Sequence, residues 1–435
     1  MLTQTNQRGL SALKMAAVAA AVIAPMGAAH ATNGYFPHGY GIKAKGMGGA
    51  SLAMAQDTFA GANNPAQAAF AGNRVEVGLE FFSPKREMSR SFGGMTLGTV
   101  KSDKELFYVP EMGFNTSLSD ELAVGVTVYG NGGMNTSYPG GTTDCTAFGG
   151  MAGSNAMCGM GGLGVDLMQL IVAPTVAYKF TPEHSVGVSP LFVYQMFSAS
   201  GLQMFQMTPG ASTDPQNLTN NGHDSSTGLG VRLGYMGKLT DELSVGASYS
   251  PKVSMSRFKD YAGLFADRGK FDIPENMGVG LAFQATPNLQ LALDYNRINY
   301  SKIPAIGNPA GFNMGAQNGG GFGWKDVNVF KLGAQWQMNE GTTLRVGYNR
   351  GDNPVTGNNI TPNILAPGVM KEHYTLGGTH KINQSSELSW HFMYAPSVTV
   401  KGPSMFNGLM GSGTAIQESV KMRQMSLGIQ WGMTF

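Results

Sequence analysis

"RQMSLGIQWGMTF", residues 423–435, decides the fold. Met425, Leu427, Ile429, Trp431, Met433 and Phe435 alternate with Gln424, Ser426, Gly428, Gln430, Gly432 and Thr434. One face is continuously apolar and the other is polar or small. Period-two alternation is the mark of a β-strand whose two faces meet different surroundings. The same pattern returns upstream. Val75, Val77, Leu79 and Phe81 share a face against Arg74, Glu76 and Glu80, and Leu122, Val124, Val126 and Val128 share one around Gly125 and Thr127. Leu289, Leu291, Leu293 and Tyr295, then Phe330, Leu332, Ala334 and Trp336, then Leu388, Trp390, Phe392 and Tyr394 repeat it.

The connections set the number of strands. Short polar turns fall near 117–121, 181–184, 239–242, 286–288, 338–341 and 383–387. Longer Gly-, Pro- and Asn-rich stretches fall near 85–103, 130–163, 199–224, 256–270, 302–323, 352–369 and 401–416. Short and long alternate, and six plus seven connections join fourteen strands. This predicts an all-β fold: a 14-stranded antiparallel transmembrane barrel, apolar outside, with short turns on one side of a bilayer and long loops on the other. Trp336, Trp390, Trp431 and Phe435 have outward parity, as an interfacial aromatic belt requires. Arg297 and Arg423 have outward parity near the external strand ends, where lipopolysaccharide phosphates or plain solvent could meet them.

Composition excludes other classes. Of 435 residues only 13% are charged and the net charge is +2, which gives no case for nucleic acid. No mature segment has the ~18 consecutive apolar residues of a spanning helix. Arg8 and Lys14, the apolar run from Met15 to Ala24, and Ala29-His30-Ala31 make residues 1–31 an expected export signal. The aromatic C-terminus resembles the assembly signal of bacterial outer-membrane barrels, which implies the barrel-assembly machinery as a partner through Phe435. Outside the reducing cytosol, Cys145 and Cys158 are expected to form one local disulfide, with two free thiols as the alternative.

The segment 32–72 reads differently from all that follows, and barrel sequence begins at 73. It is rich in small residues. "GGASLAMAQD" (48–57) predicts a short helix, and "NNPAQAAF" (63–70) a second, with Asn64 as N-cap, Pro65 as first helical residue and Gly72 as stop. Met47, Leu52, Met54, Phe59 and Phe70 would supply its apolar contacts. Glycine weakens a strand unless another group approaches closely, so inward Gly125, Gly246, Gly280, Gly347 and Gly428 point to an occupant of the barrel. The segment 32–72 is the available plug.

"NGYFPHGYGIKAKGMGGASLAMAQDTFAGANNPAQAAF", with Asn64-Pro65-Ala66 shortly before the first strand, resembles the N-terminal hatch of the FadL/TodX family of outer-membrane hydrophobic-compound transporters. The resemblance implies a monomeric barrel closed by the hatch, in the Gram-negative outer membrane, without cofactor or metal. It implies passive uptake of long-chain fatty acids or, in one branch, aromatic hydrocarbons. Ligand would be captured between external loops, pass to an inner pocket, and leave sideways after hatch rearrangement.

Two loops suit capture. One carries Met151, Met157 and Met160, and the next carries Leu202, Met204, Phe205 and Met207. Methionine adapts to varied apolar ligands, although such loops could equally pack on one another as a cap. Arg232, Lys331 and Arg345 have inward parity and could meet a carboxylate, but inward Glu76 and Glu80 make internal ion pairs the first expectation. An enzyme is disfavoured. Ser256 and Lys259 spell S-x-x-K at a strand-to-loop exit, and the mature histidines show no metal-ligand spacing. A general porin would have no plug.

Overall fold

A computed structural model describes residues 32–146, 152–409 and 416–435. The expected export signal lies outside the described residues. Fifteen strands are present: β1 Arg74–Phe92, β2 Met95–Lys101, β3 Phe107–Ser117, β4 Leu122–Tyr138, β5 Leu163–Thr181, β6 His184–Ser200, β7 Asp224–Lys238, β8 Leu243–Ser250, β9 Asn276–Thr286, β10 Leu289–Ile298, β11 Val327–Asn339, β12 Thr342–Gly351, β13 Glu372–Lys381, β14 Ser386–Pro403 and β15 Ile416–Thr434. Each pairs antiparallel with its neighbour, and β15 closes on β1 from Arg74–Thr434 to Phe92–Ile416.

The closed barrel therefore has fourteen strands, and β2 is extra. Among the described residues it pairs only with the outer end of β1, from Glu87–Lys101 to Phe92–Met95, beyond the stretch where β1 pairs with β3. The reading of 85–103 as a plain loop missed it, because Gly93-Gly94 turn the chain with positive φ into a protruding hairpin. The strands also reach further out than their sequence suggested. β4 runs to Tyr138 and β6 to Ser200, so the loops after them span 139–162 and 201–223 rather than 130–163 and 199–224.

Alternation along the strands gives two opposite surfaces. Leu427, Ile429, Trp431, Leu332, Trp336 and Leu376 face outward and are exposed, the arrangement that hydrocarbon selects. Inward positions on the same strands are polar and buried, as with Gln424, Ser426 and Gln430 on β15. They are buried because residues 32–72 fill the lumen.

Candidate functional site

The filled lumen is a problem of backbone hydrogen bonding. Residues 32–72 hold little regular structure: a turn of helix at Ile42–Lys45, 3-10 turns at Phe59–Gly61 and Pro65–Gln67, and a helical turn at Ala68–Ala71. The helix expected over 48–57 is absent, since Gly48 and Gly49 both adopt positive φ there. Buried N–H groups outside regular structure need partners, and the inward wall side chains supply them. Ser51 and Leu52 N–H donate to Asp294 Oδ2 at 2.7 and 3.0 Å, Ile42 N–H to Gln430 Oε1 at 3.1 Å, and Gly48 N–H to Thr375 Oγ1 at 2.8 Å.

At the centre, Lys45 Nζ donates to Glu80 Oε2 at 2.7 Å and Glu111 Oε2 at 2.9 Å, with all three side chains no more than 2% exposed. Burial works against the charge on Lys45, but Glu111 and Glu80 outweigh it, so its pKa lies above the ordinary lysine value. At the short-turn end, Lys43 pairs with Glu387 at 2.5 Å and Arg74 pairs with Glu387 and Glu76 at 2.6 and 2.5 Å.

Asn64, Pro65 and Ala66 form the most fully determined corner of this segment. Asn64 Oδ1 accepts from Ala66 N–H at 3.2 Å, so it caps the Pro65 turn, and Gly72 ends the helical turn at φ 75°. Asn64 Nδ2 donates to the Leu52 carbonyl of the same segment at 2.8 Å and to the Tyr235 carbonyl of the wall at 2.9 Å, and Ser185 Oγ donates to the Ala66 carbonyl at 2.9 Å. Two wall glycines make this approach possible. A β-carbon at Gly187 would strike the Pro65–Ala66 peptide, and one at Gly234 would strike Asn64 and Pro65. Of the five glycines marked in the sequence, Gly246, Gly280, Gly347 and Gly428 also lie against residues 42–53. Gly125 instead faces the Phe114 carbonyl and Asn115 of β3.

Met47, Leu52, Met54 and Phe59 are all buried, and Met47 and Met54 pack with Ala50, Ala53, Ala282 and Ala292. Phe70 differs. It is only partly buried and lines a cavity of about 400 Å³ at the short-turn end, beneath Lys179 Nζ at 5.0 Å from its ring.

β3 and β4 leave a long unpaired seam in the wall. β3 and β4 pair from Ser117–Ala123 to Met112–Val128 and then part, while β3 stays on β1 to Phe107 and β4 stays on β5 to Tyr138. Pro110, which has no N–H to leave unpaired, lies in the freed stretch of β3. Above the seam, Asp103 N–H donates to the Ser137 carbonyl at 2.7 Å. Behind it stands Tyr40, whose hydroxyl donates to Asn131 Oδ1 at 2.9 Å and whose ring meets Tyr129 edge-on at 4.7 Å.

Sequence spacing gave no hint of a buried histidine group. His38 lies 5.9 Å from His373 and 6.0 Å from His391, ring centre to ring centre, and His391 Nε2 is 3.4 Å from Glu80. Burial holds the pKa of His38 well below the ordinary value. Only strand pairing reveals the cluster, because its members come from 32–72, β13 and β14. Among the described residues no group of His, Cys, Asp and Glu suits a metal ion.

On the long-loop side the chemistry reverses. Met157, Leu202 and Phe205 line an apolar cavity of about 70 Å³ with Phe197, Phe265 and Phe322, and among the described residues no charged side chain borders it. Met204 packs against the same cluster, whereas Met160 and Met207 are 50% and 62% exposed. Met151 lies outside the described residues. Cys145 and Cys158 form a disulfide with Cα atoms 5.5 Å apart, which ties the loop that carries Met157. The later loops contribute Phe265, Phe322, Met314 and Met405, which sequence reading left out. Their signal was apolar residues stranded in Gly-rich loops.

The three cations assigned inward parity from the sequence are all engaged. Arg232 donates to the carbonyls of Gly61 and Ala62, Lys331 Nζ to the Gly49 carbonyl at 3.3 Å, and Arg345 to Gln335 and Thr379 at 2.7 Å each. Arg232 and Lys331 also border one inner cavity of about 60 Å³, beside Phe36, Tyr40 and Ile298.

A closed fourteen-stranded barrel with its lumen filled by its own N-terminal segment defines an outer-membrane channel of restricted access. Residues 18–435 match the family described as outer membrane protein transport protein (OMPP1/FadL/TodX), and the chain belongs to that family. It is accordingly a Gram-negative outer-membrane protein of a family of hydrophobic-compound transporters. No curated protein matches it. Among solved structures, the toluene transporter TodX of Pseudomonas putida is 19% identical with a TM-score of 0.66, and the toluene transporter TbuX of Ralstonia pickettii 18% with 0.63. A FadL homologue of Pseudomonas aeruginosa is 12% identical with a TM-score of 0.67. Each comparison covers 92% of this chain and 99% of the other, and at these identities it speaks for the fold.

Proposed function

We propose that this protein is a passive, non-enzymatic and monomeric channel for hydrophobic small molecules, with long-chain fatty acids as its first substrate class. The observation that carries the reading is the polarity reversal along the lumen: an uncharged aromatic cavity outside, and a hydrogen-bonded hatch, residues 32–72, inside. A ligand would be captured by Met157, Leu202 and Phe205, pass to the cavity bordered by Arg232 and Lys331, and leave through the β3–β4 seam once Tyr40 withdraws. Asn64-Pro65-Ala66 would be the hinge of that withdrawal. The supporting chemistry for a carboxylate is Arg232, which can bind one bidentately after it releases the Gly61 and Ala62 carbonyls.

A second reading rests on the outer cavity. With no charged side chain on its border among the described residues, it suits an aromatic hydrocarbon as well as an acyl chain. Competition binding on the purified barrel separates the two. Oleate that displaces a fluorescent fatty acid while toluene does not supports the first, and the reverse supports the second. Phe205→Ala should weaken whichever ligand binds about tenfold, since truncating a buried aromatic costs more than 1.4 kcal/mol. Neither ligand competing would refute the reading of a hydrophobic channel.

A further inference from the structure

The outward face of β15, β1 and β2 breaks the apolar rule at one level. Reading outward along paired rows, Phe81–Leu427 and Ser83–Met425 give way to Lys85–Arg423, then to Lys421–Glu87–Lys101 across all three strands. Tyr394, exposed on β14, pairs with Met425 in the row just inside. Interfacial tyrosines mark the depth at which hydrocarbon ends. The four cations therefore stand at headgroup depth. Adjacent strands lie about 4.8 Å apart and alternate residues about 7 Å apart, so all four charges sit within about 15 Å.

These side chains border a groove of about 380 Å³ shared with Arg86, Glu87, Glu105 and Ser397. Lys85 is paired with Glu105 at 2.6 Å. No ion pair within 4 Å involves Lys101, Lys421 or Arg423 among the described residues. Four cations against Glu87 and Glu105 leave a surplus of two. Arg86 beneath them is occupied by Ser102 and the Lys104 carbonyl. Other strand ends on the same rim are neutralised locally: Arg297 by Asp326 at 2.9 Å, Lys302 by Glu275 at 3.1 Å and Arg350 by Glu372 at 3.8 Å. Uncompensated cations held together on a rigid sheet repel one another unless an anion joins them.

The geometry points to a binding site for a phosphorylated glycolipid of the outer leaflet, with a sugar phosphate held among Lys101, Lys421 and Arg423 and its acyl chains lying on Phe81, Leu427 and Tyr394. Arginine and lysine are the side chains suited to phosphate, and basic grooves at membrane depth hold lipid headgroups. The site is distinct from the channel: it faces lipid, not the lumen.

Native mass spectrometry of the purified full-length barrel tests the assignment. The barrel is incubated with bisphosphorylated lipid A, with fully dephosphorylated lipid A, or with lipid A in the presence of inorganic phosphate. The unaltered protein should retain bisphosphorylated lipid A, and a Lys421→Gln/Arg423→Gln variant should retain it at least tenfold less. Arg350→Gln, at a paired rim position, should match the unaltered protein. If the double variant does not assemble, as judged by heat-modifiable migration, Lys101→Gln on a different strand carries the test. Equal retention of dephosphorylated lipid, or undiminished retention by the variants, overturns the proposal. Displacement by millimolar inorganic phosphate would show a free-anion site and overturn the lipid assignment.

Discussion

The inner hatch and the outer canopy of loops both close the same barrel, yet they are held by opposite forces. The hatch is fastened by directed bonds: Lys45 to two buried carboxylates, Asn64 to two carbonyls, and backbone N–H groups to Asp294, Gln430 and Thr375. The canopy is fastened by aromatic packing, with Phe197 meeting Phe258, Tyr261 and Phe265 at tilted to edge-on angles and centroid distances of 4.6 to 5.7 Å. Apolar packing is non-directional and yields to another apolar body, whereas a network of buried hydrogen bonds has few intermediate states. On the proposed function, the canopy would admit a hydrophobic molecule and the hatch would hold against water and ions until it moves as a unit.

Removing one side of this pair breaks the comparison most severely. Deletion of residues 33–72 should leave the barrel assembled and convert it to a non-selective polar pore. Planar-bilayer conductance should rise from near closed to that of an open porin, and unchanged conductance would show that the loops alone seal the channel. Lys45→Met should come next. It leaves Glu80 and Glu111 facing each other without their shared cation, a loss of about 3–5 kcal/mol for a broken buried pair. The hatch should become protease-sensitive while the barrel keeps its heat-modifiable migration.

Asn64→Ala sharpens the comparison within the hatch. It removes an N-cap and two donated hydrogen bonds, each worth about 1 kcal/mol, so the hatch should loosen by about 2–3 kcal/mol. Uptake of a hydrophobic substrate should change at normal surface levels, and unaltered uptake would confine the motif to shaping the hatch. The smallest effect is that of pH. Burial, joined by the neighbouring His373, His391 and Lys45 and opposed by Glu80, holds the pKa of His38 well below its ordinary value. A histidine with a lowered pKa in the docked state costs nothing above the ordinary value of 6.5 and opposes docking as pH falls below it. Lys45 works at the other extreme, since its raised pKa keeps its stabilisation intact until the solution is strongly alkaline. Hatch protection against protease should therefore hold around neutral pH and weaken toward about pH 5. A His38→Gln variant should weaken that dependence.

Much of this was legible in the chain. Period-two alternation gives strands, because a membrane barrel presents each strand with lipid on one face and a wet or filled lumen on the other. Alternating short and long connections give the strand number. The Asn64-Pro65 cap is a local matter of one side chain and one fixed φ, so it too could be read directly. The bare glycines at 246, 280, 347 and 428 announced an occupant because a missing side chain records a close approach.

Other features depended on which strand stands beside which. The pairing of Lys45 with Glu80 and Glu111 joins residues far apart in the chain. So do the meeting of His38, His373 and His391, and the row Lys421–Glu87–Lys101. The fate of Arg232, Lys331 and Arg345 shows the same limit: parity placed them inside, but only the folded hatch decided that they hold its carbonyls and neighbouring side chains. Local alternation fixes the face a residue occupies, since that is a property of one strand and its two solvents. The partner it meets there is set by barrel closure and by the path of an irregular segment, and no short-range period encodes either.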